Sequence, residues 1–462
     1  MNNSARWGTS ISLLLLMLCL LAAPASAQDI RKHMRAGNML FDKENYRAAI
    51  SFYEQVLAAD PNNARALYYA GISYMTFDKE KACNYLYRVQ ELKPNINKDL
   101  VYWLGRADHA NYRFDSAIRH FELYRKTLKK RDQEHLMEVA QLIEHARNAK
   151  NAVANPTNVL VKNLGGAINT AYSEHSPVIS SDFNCLLFTS RSKNVTGGRI
   201  ALDGEFYEDI FETRRIGNDK WSAPQIVPGL LNSAGHDASI QLFDNDTKML
   251  LYRAANNGDF MVAARQPDGT WSAPESIGDN INSGDFESDA FITPDGQTLF
   301  FSSNHHSGNG NLDLYVAHRN ANGHGWQTPE RLDNTINTPY DEDSPYLAAD
   351  GTLYFASQGH NTMGGYDIFS AKYDAVTQKW ENPVNLGSPV NTPDDDTHYR
   401  LAPDGSYAYL SSDRIGSFGE KDVYMVSYTQ DIIVKGQEFS QAVSPTLPVA
   451  NAVQALPDLR TK

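Results

Sequence analysis

The chain has 462 residues, a formal net charge of −13 and 42% hydrophobic residues. A chain of this length can bury large hydrophobic cores and suggests two or three domains. Its negative charge argues against general nucleic-acid binding, which needs a basic face to release counterions from phosphates, so we expect no nucleic-acid partner.

The N-terminus has the pattern of a secretory signal peptide. Arg6 provides a positive n-region, an apolar run follows over residues 11–21, and Ala25 and Ala27 flank a serine in a small-x-small cleavage pattern. We therefore expect residues 1–27 to be a signal peptide and the mature protein to be exported. The apolar run is shorter than the ~20 residues that cross a bilayer, and no later run is long enough, so no direct membrane span is expected.

A helical repeat follows the signal peptide. Three glycines recur at intervals of 34 residues, and each is followed after twelve residues by a small side chain and after sixteen by an aromatic one. These positions are Gly37, Ala49 and Tyr53; Gly71, Cys83 and Tyr87; and Gly105, Ala117 and Phe121. The spacing resembles tetratricopeptide repeats (TPR) and predicts an α-solenoid of three TPR units plus a capping helix over residues 28–152.

The TPR resemblance implies a partner-binding groove, because in that family the first helix of each unit lines a concave peptide-binding surface. The corresponding positions are Arg31, Met34, Asn38 and Phe41 in unit one; Arg65, Tyr68, Ile72 and Met75 in unit two; and Asp99, Tyr102, Arg106 and His109 in unit three. The alternative is that some of these side chains pack against the following domain.

A second repeat of short strands occupies residues 153–430. Each unit carries an Asn-Ser or Asn-Thr pair and an Asp-led strand, and four units carry a Trp-x-x-Pro segment. Four short strands per unit, repeated radially, predict a WD40-like β-propeller.

Five units are visible, and the strand at residues 159–164 can complete the last one. We therefore predict a multidomain α plus all-β protein, a solenoid followed by a five-blade propeller. Six blades are the alternative if part of the tail at residues 431–462, which resembles a remnant of a further domain, adds to it.

An acidic residue follows each repeated asparagine by five positions. We call these five residues the ring acids: Glu174, Asp237, Glu287, Glu342 and Asp396. Equivalent positions of a propeller lie at similar radius and height, so the ring acids could encircle the channel and hold calcium or a cationic partner segment. The alternative is that each acid accepts turn N–H groups within its own blade. No other cofactor is indicated, and the identity of any metal is open.

One propeller unit carries the full signature of TolB-type repeats, in Ser344-Pro345, Asp350-Gly351 and the strand 353–357. Together with TPR units behind an export signal, it resembles a PorE-like family of Bacteroidetes cell-envelope proteins. The resemblance implies envelope or secretion-system partners and a periplasmic location at the outer membrane through those partners. It also implies an accessory role in type IX secretion or outer-membrane assembly. Family members usually continue into an OmpA-like domain that this sequence lacks, so peptidoglycan is not expected as a partner.

Motifs for catalysis are not recognisable. There is no Gly-x-Ser-x-Gly, no His-Glu-x-x-His and no phosphate-binding loop. We therefore expect no enzyme, but a protein–protein interaction scaffold. The alternatives are a glycan- or cation-binding propeller and, after these, a propeller hydrolase with catalytic groups on scattered loops.

Overall fold

The structure, a computed structural model, describes residues 27–217, 220–305 and 311–428. The predicted tail lies outside the described residues, as does the predicted signal peptide except for Ala27. None of the helices in the described ranges has the length and apolar character that a membrane crossing needs.

Helices make up the N-terminal part, and each packs against the next along the chain. They are α1 (Ala27–Phe41), α2 (Tyr46–Ala59), α3 (Ala64–Tyr74), α4 (Lys79–Leu92), α5 (Leu100–Ala110), α6 (Phe114–Arg125) and α7 (Gln133–Ala154). The starts of α2, α3 and α4 are fixed by the side chains of Asn45, Asn63 and Asp78, which accept a backbone N–H of the first turn. Stacked helix pairs of this kind form an α-solenoid.

The repeated glycines lie where the two helices of a pair touch. A Cβ atom on Gly37 would lie 2.7 Å from the Tyr53 ring, and one on Gly105 would lie 2.6 Å from the Phe121 ring. Tyr53 and Phe121 are fully buried. At these two positions the glycine is therefore paired with an aromatic side chain that needs the space a Cβ would take, whereas the middle glycine of the repeat meets a leucine.

We expect Gly105→Ala to lower the free energy of unfolding by about 1–3 kcal/mol, because overpacking a filled core forces side chains off their preferred rotamers. Urea unfolding followed by circular dichroism measures the change. Gly284→Ala is the matched control, since a Cβ there meets nothing within 4 Å. Equal stability of the two variants would contradict this explanation of the repeat.

The C-terminal part is a ring of antiparallel sheets. The first is formed by β2 (Glu174–Ile179), β3 (Cys185–Ser190), β4 (Asp209–Gly217), β5 (Lys220–Trp221) and β6 (Gln225–Ile226). The second is formed by β7 (Asp237–Phe243), β8 (Lys248–Arg253), β9 (Asp259–Ala264) and β10 (Glu275–Ser276). The third is formed by β11 (Glu287–Ile292), β12 (Thr298–Ser303), β13 (Asp313–His318) and β14 (Glu330–Arg331). The fourth is formed by β15 (Glu342–Leu347), β16 (Thr352–Ser357), β17 (Asp367–Asp374), β18 (Lys379–Trp380) and β19 (Val384–Asn385).

The fifth sheet closes the ring with the strand that precedes the first blade. Strands β20 (Asp396–Leu401), β21 (Tyr407–Ser412) and β22 (Asp422–Tyr428) are completed by β1 (Val159–Asn163). β1 pairs antiparallel with β22, with Val159 opposite Tyr428 and Asn163 opposite Tyr424. The described strands thus form five blades, which confirms the predicted α-solenoid followed by a five-blade propeller. The six-blade alternative is not observed in the described residues.

Candidate functional site

The ring acids stand at the first residue of the innermost strand of each blade and are completely buried. Each accepts the backbone N–H of the residue four positions earlier, in the turn that enters its blade. These donors are Thr170, Ser233, Ser283, Thr338 and Thr392. Every ring acid is therefore held by the turn that leads into its own blade.

The second strand supplies a further partner, and its type depends on the length of the acid. In the three blades with glutamate, a serine hydroxyl at the end of the second strand donates to the carboxylate, from Ser190, Ser303 and Ser357. In the two blades with aspartate an arginine joins: Arg253 and Arg414 each lie 2.6 Å from the carboxylate of Asp237 and Asp396. The shorter acid thus gains a longer, charged partner that ties the entry turn to the second strand.

Burial dominates the electrostatics of the glutamates in this set. It raises the pKa of Glu174 and Glu342 to about 7, although hydrogen bonds from Thr170 and Thr338 oppose the change. Across the described ranges, no group of three His, Cys, Asp or Glu side chains is arranged to hold a metal ion. The bonds of the ring acids lie within single blades and do not converge on the channel axis.

We expect added calcium, and equally a chelator, to leave the melting temperature of the protein unchanged, because the ring carboxylates already have hydrogen-bond or ion-pair partners. Differential scanning calorimetry of the full chain with calcium and with chelator measures this directly. A melting temperature that rises with the logarithm of the calcium concentration would show that a cation binds the native state.

The predicted groove positions differ in their accessibility. Arg31, Arg65 and Arg106 are exposed; Met34, Asn38, Phe41, Met75, Asp99 and Tyr102 are half-buried; and Tyr68, Ile72 and His109 are buried. The structure brings together three positions of the first unit and the first position of the second, whereas Phe41 packs into the solenoid core. Arg31, Met34, Asn38 and Arg65 border one cleft of about 740 Å³ between α1 and α3. We call this the α1–α3 cleft.

In the third unit Tyr102 contacts α7 and His109 is buried, whereas Arg106 stays exposed. The Tyr102 hydroxyl donates to Glu138 of α7 at 2.6 Å, and Arg106 donates to the Tyr102 hydroxyl at 3.2 Å. His109 is enclosed so fully that burial lowers its pKa to about 3. α7 therefore packs where the first helix of a following unit would lie, and it covers this end of the predicted groove.

Two cations on the second helices join the solenoid to the propeller. Arg47 of α2 lies 2.7 Å from Glu205 and 2.8 Å from Glu420. Lys79 of α4 is 8% exposed and lies 3.3 Å from Asp394. These acids belong to loops of the first and fifth blades, at the end of the propeller where the innermost strands begin.

The capping helix adds contacts to the fourth blade. Gln141 and Asn148 of α7 donate to the carbonyl oxygens of Gln358 and Thr362. Met363 is buried against the solenoid in the same region. Because the junction uses the second helices and α7, the α1–α3 cleft is lined by solenoid residues alone.

The long loop of the first blade is explained by this junction. It carries Glu205, the partner of Arg47. Gly204 has a φ of 86° and lies so close to Asn45 that a Cβ would meet that side chain. The sequence shows the insertion but gives no sign that it contacts α2. The contacts of Arg47 and Lys79 with their acidic partners were likewise missed, because these residues are not among the positions that recur from unit to unit.

Comparisons with known proteins concern the propeller. No protein-family model and no curated protein matches the sequence. A glycoside hydrolase is 11% identical, with 62% of this chain and 94% of that chain covered and a TM-score of 0.41. TolB from Acinetobacter baumannii is 13% identical, with coverages of 63% and 70% and a TM-score of 0.34. A GH43 endo-arabinanase from Bacillus licheniformis is 14% identical, with coverages of 56% and 94% and a TM-score of 0.36.

These comparisons correct one expectation. The sequence led us to expect no enzyme, and that expectation is wrong as a statement about this fold, because similar propellers include glycoside hydrolases. The physical reason is that catalytic groups of a propeller can come from scattered loops, so the lack of a contiguous motif excludes little. At these identities the similarity concerns the fold alone.

Proposed function

We propose that this protein is a protein-interaction scaffold of the bacterial cell envelope, and that its α1–α3 cleft binds an extended segment of a partner protein. The observation that carries the proposal is the cleft itself. It measures about 740 Å³, it is lined only by solenoid residues, and the propeller docks on other helices. A preformed groove on a fixed support binds without first having to order itself, which reduces the cost of association.

The lining of the cleft favours a particular kind of partner segment. Apolar side chains alternate with basic ones, and one acidic side chain is present. The apolar residues are Ile30, Met34 and Met39; the basic ones are Arg31, Arg35, Lys43 and Arg65; and the acidic one is Asp42. A segment with apolar anchors and several carboxylates would complement this surface, since opposite charges steer encounter and fix the register of binding.

The cellular setting is part of the proposal. The signal-peptide pattern supports export to the periplasm, and the 34-residue spacing supports three TPR units. The TolB-type signature supports membership of the PorE-like envelope group, with envelope or secretion-system partners that hold the protein at the outer membrane. Type IX secretion and outer-membrane assembly are the processes in which we expect such a scaffold to act.

Charge reversal in the cleft tests the proposal. Arg31→Glu combined with Arg65→Glu should abolish capture of partner proteins from a solubilised envelope fraction, because the two side chains are exposed and border the cleft. Arg119→Glu combined with Arg125→Glu is the matched control, since these two arginines are exposed on α6, outside the cleft. Affinity capture with quantitative mass spectrometry gives the readout.

The proposal requires the control pair to keep the partners that the cleft pair loses. If both variants retained the same partners, the cleft would not be the binding surface. If both lost them, the effect would be one of net charge and not of the cleft. A circular dichroism melt of each variant shows that folding is preserved.

A further inference from the structure

The innermost strands of the propeller are irregular at one level in every blade. Within the first few residues after each ring acid the pairing with the second strand shifts register. Three non-glycine residues at this level have left-handed backbone: Ser176, Ser344 and His398, with φ between 52° and 54°. Bulges of this kind redirect side chains and are common beside functional sites.

The residues two positions after the ring acids break the internal repeat. The ring acid is acidic in all five blades, whereas this position holds Ser176, Ser239, Asp289, Ser344 and His398. A side chain that every blade needs for folding would be of one type in all of them. The variety at this level therefore indicates that the fold of a blade does not fix the residue type here.

A buried ion pair crosses the channel at this level. Arg400 of the fifth blade lies 3.0 Å from Asp289 of the third blade, and it donates to the carbonyl oxygen of Ser344 in the fourth. Both charged side chains are buried. Burying such a pair costs desolvation energy, so it is weak evidence for a purely stabilising role. Arg400 therefore links the third, fourth and fifth blades across the channel.

A row of polar side chains connects the partly exposed His236 to this ion pair. His236 and His175 lie 3.0 Å and 3.4 Å from the two carboxylate oxygens of Glu208. The rings of His175 and His398 are 5.7 Å apart, and His398 lies 3.9 Å from Asp289. The exposed fraction of the side chain is 25% for His236 and 17% for His398. We call this row, with Ser344 and Arg400, the channel pocket.

The protonation states in the channel pocket provide both acceptors and donors. Burial raises the pKa of Glu208, but hydrogen bonds from His175 and His236 outweigh it and hold that pKa below its ordinary value. Burial lowers the pKa of His398 well below the ordinary range, so its imidazole is neutral. The Ser344 hydroxyl is buried beside Arg400 and, within the described ranges, makes no hydrogen bond. This hydroxyl can still donate and accept.

The charged groups of the pocket already have partners. Asp289 is paired with Arg400, and Glu208 is flanked by two imidazoles. A charged ligand would therefore bring in an unpaired charge that has lost its water, which is costly. A neutral ligand with many hydroxyl groups would satisfy carboxylate, imidazole and hydroxyl partners together. At the mouth the Tyr207 ring, 4.5 Å from the ring of His236, adds an aromatic surface on which a sugar ring can lie.

We propose that the channel pocket is a binding site for a neutral saccharide. It opens at the end of the propeller where the innermost strands begin, next to the docked solenoid. This site is separate from the α1–α3 cleft and does not rest on the proposed scaffold function.

The test uses the full mature chain on an array of neutral, acidic and amino oligosaccharides, followed by calorimetric titration with the neutral saccharide that binds best. Glu208→Gln should weaken that binding by about tenfold or more, because it replaces charge-assisted hydrogen bonds with neutral ones. His398→Ser should weaken it as well. Serine is the residue that three other blades carry at this position, so this variant is expected to fold.

Glu330→Gln, on the exposed outer strand β14, is the control and should bind as the wild type does. Binding of a neutral saccharide that both pocket variants weaken and the control does not would support the proposal. It would be overturned if no neutral saccharide bound, if only charged ones bound, or if the pocket variants matched the control. The cleft variant Arg31→Glu with Arg65→Glu should bind the saccharide normally, so failure of this proposal and failure of the scaffold proposal can be told apart.

Discussion

The melting temperature of the protein should rise when the pH is lowered from about 8 to about 6.5, the opposite of ordinary acid destabilisation. Burial raises the pKa of Glu174 and Glu342 to about 7 in the folded chain, well above the value of an exposed glutamate. Over this range the native carboxyl groups take up protons while those of the unfolded chain stay ionised. The native state therefore binds more protons than the unfolded state, and its stability increases as the pH falls.

The two groups together contribute roughly 1.5 kcal/mol over this range, or about 3–6 °C for a domain of this size. Calorimetric scans at several pH values measure the effect. Glu174→Gln combined with Glu342→Gln is the matched variant, because the amide mimics the protonated group, and its melting temperature should rise less as the pH falls. An unchanged pH dependence in this variant would contradict the account of the ring acids.

Below about pH 6 we expect the trend to reverse, because His109 and His145 respond in the opposite direction. Burial lowers their pKa values to about 3 and about 4. The stability that they contribute is present above the pKa of an unfolded histidine. It is lost as the pH falls towards these folded values. The most stable condition should therefore lie between the two regimes.

Lys79→Ala should destabilise the protein by about 3 kcal/mol and loosen the solenoid from the propeller. Although burial lowers the pKa of Lys79, Asp413 and Asp394 hold it above its ordinary value, so the ammonium group stays charged. It lies 3.3 Å from Asp394 and 3.5 Å from Asp413, and it donates to the Asp413 carbonyl oxygen. Removing the cation leaves neighbouring carboxylates without their partner at the junction.

Thermal unfolding and small-angle X-ray scattering measure the effect of Lys79→Ala as a lower melting temperature and a larger radius of gyration. The matched control is Lys81→Ala on the same helix. Lys81 pairs with Glu54 at a surface position and should cost less than about 1 kcal/mol. If Lys79→Ala and Lys81→Ala behaved alike, the junction would depend on contacts other than this cation.

The fold could be predicted because both domains repeat themselves. Gly37, Gly71 and Gly105 mark helix contacts, and the strand at Val159 stands without a blade of its own until β22 is counted. A repeat shows which elements every unit needs. Counting these elements is enough to predict that five blades close the ring. The capping helix was predicted, but the contacts of α7 with Tyr102 and with the fourth blade were not, because a lone helix carries no repeat to show which residues it meets.

The candidate sites were predictable only in part, because their key contacts join segments far apart in the chain. The positions of the ring acids could be predicted from the sequence. The arginine partners of two of these acids, Arg253 and Arg414, could not, because they lie at different distances along the chain from their acids. Asp289 and Arg400 lie in different blades, and Glu208 is outside the repeat. The one signal in the sequence is a departure from the repeat at otherwise equivalent positions, such as Asp289 among serines.

Site-specific photo-crosslinking from the α1–α3 cleft tests the scaffold function most directly. A photoreactive amino acid replaces Arg31 in the cleft or, as a control, Arg125 on α6, and adducts are identified after irradiation of the producing bacterium. The scaffold account predicts a discrete protein adduct from position 31 and none of that mass from position 125. The same adducts from both positions, or no protein adduct from position 31, would contradict it.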